Sequence, residues 1–72
     1  MKIYKPQTDA TGRPIKTYTV KHITSNFDLY ESEVKTKIGE DYLGVTVYND
    51  NEYTFHFKTE SASIHFSRKI LY

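Results

Sequence analysis

Apolar side chains recur at every second position through the latter half of the chain. Tyr53, Phe55 and Phe57 alternate with Thr54, His56 and Lys58, and Leu43, Val45 and Val47 alternate with Gly44, Thr46 and Tyr48. Ile64 and Phe66 do the same with His65 and Ser67, less cleanly through Ile70 and Tyr72. A period of two sends successive side chains to opposite faces of an extended strand. Asn49-Asp50-Asn51 and Thr59-Glu60-Ser61 interrupt these runs with turn-forming residues, so two hairpins are predicted. Upstream, residues 8–14 read as a loop between a short strand near Ile3 and a longer one over about 15–23. Pro6 and Pro14 have no N–H to donate to a ladder, which places the short strand at a sheet edge.

Residues 25–39 carry two patterns at once. A helix would begin at a Ser25-x-x-Asp28 cap, align Phe27, Tyr30, Val34 and Ile38 on one stripe, pair Glu31 with Lys35 and Glu33 with Lys37, and stop at Gly39. A strand would put Tyr30, Ser32, Val34, Thr36 and Ile38 on one face and Glu31, Glu33, Lys35 and Lys37 on the other. Composition favours the strand. Thr, Val, Ile, Phe and Tyr supply 30 residues against seven for Ala, Leu, Met and Gln, and turns near 26, 40, 50 and 60 have the regular spacing of a β meander. The expected fold is all-β, a small antiparallel meander of five or six strands closed as a barrel or sandwich, with residues 1–72 as one domain. The alternative is an α+β fold with one helix at about 26–38 packed on an antiparallel sheet.

Parity in such a meander sets Val47 beside Tyr53, Val45 beside Phe55, Leu43 beside Phe57 and Gly44 beside His56. It also sets His56 opposite His65, with Lys37 and Gly44 completing an outer row.

With 72 residues, no Cys and no Trp, seven Tyr and four Phe must supply most of the core. The lack of thiols excludes disulfides and thiolate metal sites and suits a reducing compartment. Neither a signal-peptide run nor a membrane-spanning stretch is present, so a cytoplasmic protein without membrane partners is expected. The net charge of +1 is too balanced for a strong duplex-DNA binder. Residues 1–24 nevertheless carry +4, residues 25–60 carry −5, and Arg68 and Lys69 add +2. Attraction between the basic ends and the acidic middle is the simplest use of that asymmetry.

Candidate chemistry is sparse. His56 and His65 would be two imidazoles on opposed strands, too few for a structural zinc site. No nucleophile elbow, phosphate loop, HExxH or paired-carboxylate motif is present, so neither an enzyme nor a cofactor or metal site is expected. Surface is then the main resource. Tyr42, Tyr48, His56 and His65, with an apolar finish at Leu71 and Tyr72, are the candidate protein-binding residues, because Tyr is enriched in interfaces and an apolar edge strand invites a partner strand or a homodimer. Stand-alone binders of this size include accessory and inhibitory proteins of phages and mobile elements, a role that size alone suggests here. The alternative is single-stranded nucleic-acid binding, with Lys35, Lys37, Lys58 and Lys69 contacting phosphates and Tyr42 and Tyr48 stacking on bases.

Overall fold

The computed structural model describes residues 1–71 and shows an α+β fold in place of the all-β meander. Three strands, β1 (Tyr18–Ile23), β2 (Tyr42–Val47) and β3 (Glu52–Phe57), form one sheet in the order β1-β3-β2, with β3 antiparallel to both neighbours. Helix α1 (Phe27–Lys37) connects β1 to β2, and helix α2 (Glu60–His65) follows β3. Because β3 lies between two mutually parallel strands, β1–α1–β2 is a split β-α-β unit.

Both segments read as strands beyond the sheet are helical for a reason the period-two pattern concealed. In α1 the buried stripe is Phe27, Glu31 and Val34, flanked by half-buried Tyr30 and Ile38. The Lys35–Glu31 and Lys37–Glu33 pairs form at 3.5 and 2.9 Å. A strand would have divided Phe27 from Tyr30 and Val34 by parity, whereas the helix buries all three. Gly39, at φ 69°, provides the left-handed residue that ends α1. In α2 the Thr59 hydroxyl accepts the Ala62 N–H at 3.2 Å as an N-cap. Ala62, Phe66 and Ile70 then recur every fourth residue toward the core. After α2 one wider turn, Phe66–Ile70, has the Leu71 N–H donating to the Phe66 carbonyl at 3.0 Å. Ile64, expected inside a strand, is exposed, and the edge strand expected over 64–72 is absent among the described residues.

The core lies between the helices and one face of the sheet. Phe55 and Phe57 of central β3 meet Phe66 at ring-centroid distances of 4.5 and 5.3 Å, and Phe27 meets Phe55 at 5.6 Å. The β2–β3 register follows parity at the turn end, with Val47 opposite Tyr53, Val45 opposite Phe55 and Gly44 opposite His56. It breaks at Leu43, which bulges out so that Tyr42, rather than Leu43, sits opposite Phe57. That one-residue shift turns Tyr42 from the outer face into the core, where it is 0% exposed.

Residues 1–4 run beside β2 as a short strap in the parallel sense. Tyr4 N–H donates to the Val45 carbonyl at 3.0 Å and Val45 N–H to the Lys2 carbonyl at 2.8 Å. Gly44 makes this approach possible. Its φ is +137°, and a Cβ there would lie 2.6 Å from the Tyr4 nitrogen. Between strap and β1, residues 7–15 form a hairpin arm. Asp9 accepts N–H bonds from Thr11 and Arg13 in its turn, and Ile15 N–H donates to the Gln7 carbonyl at 3.1 Å. The outline is elongated, 38 × 25 × 16 Å with a radius of gyration of 12.0 Å, where about 11 Å is typical of this length.

Gly44→Ala should therefore destabilise the fold by about 1–3 kcal/mol through backbone strain alone, with the strap clash adding to it. Urea denaturation of the two proteins measures the difference.

Candidate functional site

The structure disperses the residues expected to form one binding face. Tyr42 is in the core with its hydroxyl donating to Glu31 at 2.9 Å, so it is not presented to a partner. Tyr48 follows β2 and is 59% exposed. His56 is on the sheet face without helices, while His65 ends α2 in the helical layer and borders a small cleft with Lys37 and Asp41. The outer row of Lys37, Gly44, His56 and His65 therefore does not form, because 60–65 is helix. Leu71 is half-buried against the core, and Tyr72 lies outside the described residues. Of the expected cations, Lys35 and Lys37 pair with glutamates on α1, Lys58 follows β3 at the end opposite Tyr48, and Lys69 belongs to the turn after α2. These four lysines and two tyrosines do not share a surface.

The face without helices, partly covered by Tyr4 of the strap, has its own organisation. Thr46 Oγ1 lies 2.7 Å from His56 Nε2, and the Tyr4 ring stacks on the imidazole at 3.9 Å and 11°. His56 Nδ1 is buried without a hydrogen-bond partner. Burial pushes the His56 pKa down, since the charged form loses hydration. Lower on the same face, Lys21 of β1 places its ammonium 5.7 Å from the Tyr48 ring, bridging across β3.

Where β1 and β2 end and α1 begins, apolar surface is left uncovered. Ile23 is 72% exposed, Leu29 61% and Val47 41%, beside Tyr48. Since β1 and β2 are parallel, these residues gather at one end of the sheet. A cavity of about 330 Å³ opens there between Met1, Leu29 and the start of α1, and its floor includes the Phe27 and Tyr53 rings stacked at 4.2 Å. Asp28 lines the cavity, Asp50 and Glu52 belong to the adjoining β2–β3 turn and the start of β3, and the ammonium of Lys21 sits at the Tyr48 ring. The alternation of Val47 and Tyr53 had assigned both to an interior. The signal that could have found the site is the pair of apolar residues, Ile23 and Leu29, that fit neither the strand nor the helix stripe.

By contrast, neither sheet edge is an open invitation. The strap covers β2, and β1 carries Lys21 at mid-strand, a common guard against edge pairing. Among the described residues, no three His, Cys, Asp or Glu side chains are grouped as metal ligands, and no helix is long and apolar enough to cross a membrane. Compared with known proteins, the chain matches no family model, no curated protein and no solved structure.

Two acid transitions follow from the titrating groups. His56 is neutral in the fold, so its contribution is complete above about pH 6.5, the unfolded histidine value, and is lost as pH falls from there toward its lower folded pKa. Burial alone would raise the Glu31 pKa, but the Lys2 N–H, the Tyr42 hydroxyl and the Lys35 ammonium together lower it. Its contribution is present above 4.5, the ordinary glutamate value, and is lost as pH falls through its depressed folded pKa. Thermal melting between pH 8 and 3 should show both losses, and His56→Phe should flatten the upper one. Tyr42→Phe, which removes a donor from a buried carboxylate, should cost about 1–3 kcal/mol.

Proposed function

We propose that this chain is a non-enzymatic protein-binding module whose contact surface is the apolar end of the sheet around Ile23, Leu29, Val47 and Tyr48. The observation that carries this reading is that four exposed apolar side chains lie at one end of the sheet, Ile23 and Tyr48 on the face without helices and Val47 and Leu29 on the helix side, beside an aromatic-floored cavity. Apolar residues scattered singly are ordinary on protein surfaces, whereas their concentration at one end among polar residues favours a contact site. The polar residues here are Ser25, Asn26 and the Asn49–Asp50–Asn51 turn. Tyr48 and Leu29 would supply buried area at the centre of a contact, with the carboxylates at its margin setting orientation and on-rate.

The single-stranded nucleic-acid reading has less support. Base stacking needs exposed aromatic faces along a cationic track. Here Tyr42 is buried, Tyr4 is stacked on His56, and the exposed Tyr48 has Lys21 beside its ring but Asp50 and Glu52 in the following turn and strand, which is not a cationic track.

Affinity capture with the wild-type chain and with an Ile23→Glu/Leu29→Glu variant tests the proposal. Both side chains are exposed, so the fold should survive. A partner that remains after nuclease treatment and binds the variant roughly tenfold or more weakly supports the reading. Capture that is indifferent to these substitutions, or that nuclease abolishes, contradicts it.

A further inference from the structure

We propose that the occupant of the apolar end is the basic hairpin arm of a second copy of the chain, giving head-to-tail self-association. This rests on reading that end as the binding surface. The arm and its flanks, residues 5–16, are exposed throughout and carry Lys5, Arg13 and Lys16 against Asp9. Asp9 is occupied within the arm, its Oδ1 accepting from the Thr11 N–H, the Thr11 hydroxyl and the Arg13 N–H. Among the described residues the ion pairs all involve Glu31 or Glu33, which leaves the three arm cations and the three carboxylates of the apolar end without ionic partners.

The chemistry of the two surfaces is reciprocal. The end presents apolar side chains, a cavity with Asp28 in its lining, and Asp50 and Glu52 at the adjoining β2–β3 turn, while the arm presents Ile15, 40% exposed, between cations Arg13 and Lys16. An isoleucine side chain entering the cavity would bring its flanking cations toward Asp28 and the carboxylates of the adjoining turn. The arm does not line the cavity of its own molecule, since it precedes the first residue of β1 and the cavity lies at the end where β1 finishes. Six extended residues separate them by about 20 Å. Contact between copies is thus heterologous, each chain offering an arm to one neighbour and an apolar end to another.

Sedimentation equilibrium of the full chain over a range of concentrations tests this. At low salt the apparent mass should rise above the 8.5 kDa of one chain and should return toward it at high salt. Arg13→Glu/Lys16→Glu and Asp28→Lys/Asp50→Lys should each be monomeric alone. Mixed one to one, the acidic arm of the first meets the basic end of the second and the basic arm of the second meets the acidic end of the first, so the apparent mass should again rise above that of one chain. All four positions are exposed, and an unchanged circular dichroism spectrum verifies the fold of each variant. A wild-type chain that is monomeric at every concentration overturns the proposal, as does association that persists through both reversals. If the monomeric chain still captures a partner through Ile23 and Leu29, only the self-association is lost. If those substitutions affect neither capture nor association, the assignment of the surface itself has failed.

Discussion

A single buried carboxylate holds the architecture in register. Glu31 is 5% exposed, and its Oε2 accepts both the Lys2 N–H and the Tyr42 hydroxyl at 2.9 Å, while Lys35 lies 3.5 Å from Oε1. Taking a carboxylate out of water costs several kcal/mol unless hydrogen bonds replace its hydration. Its partners come from the strap, from α1 itself and from the first residue of β2. Loss of any one would leave a buried charge short of a partner, so the three segments are coupled. The rotation of α1 about its axis follows, because Glu31 belongs to the same buried stripe as Phe27 and Val34. So does the position of the strap, which sets Tyr4 over His56 and requires the bare backbone of Gly44.

The placement of α1 also determines what remains exposed. With both helices on one face, Phe55 and Phe57 are sealed by Phe27, Val34 and Phe66. The helix starts only four residues after β1 ends, too soon to cover the end of the sheet. Ile23 and Tyr48 project on the face without helices, and Leu29 stands at the first turn beside the cavity. The apolar end is therefore a consequence of the same packing that builds the core. Three of the eight carboxylates of the acidic middle of the chain, Asp28, Asp50 and Glu52, lie at that end, while the basic residues of its first third belong to the strap, the arm and β1.

The sheet was legible because its strands alternate, and the parity of β2 and β3 gave the pairing at their turn correctly. The helices were concealed by coincidence of period. From Tyr30 to Ile38, charges at odd positions and uncharged residues at even ones mimic a strand, although Phe27 breaks that parity and fits only the helical stripe. In 60–71, Ile64 and Phe66 suggested alternation, while the fourfold spacing of Ala62, Phe66 and Ile70 and the Thr59 cap carried the correct signal. Tyr42 was misplaced because nothing local announces the bulge at Leu43 except the following glycine. Once a bulge shifts parity, a tyrosine assigned to the surface becomes a core residue, and a candidate surface built on it dissolves. The apolar end was invisible for the opposite reason. Its residues are distant in sequence and converge only because α1 returns the chain parallel to β1.

Hydrogen–deuterium exchange of the chain alone and in complex with its captured protein partner locates the contact without substitution. If binding uses the apolar end, amides of residues 22–29 and 47–53 should exchange more slowly in the complex, and those of 30–37 and 60–71 should be unchanged. Protection confined to the exposed helical surface, with 22–29 and 47–53 unaffected, would contradict the assignment.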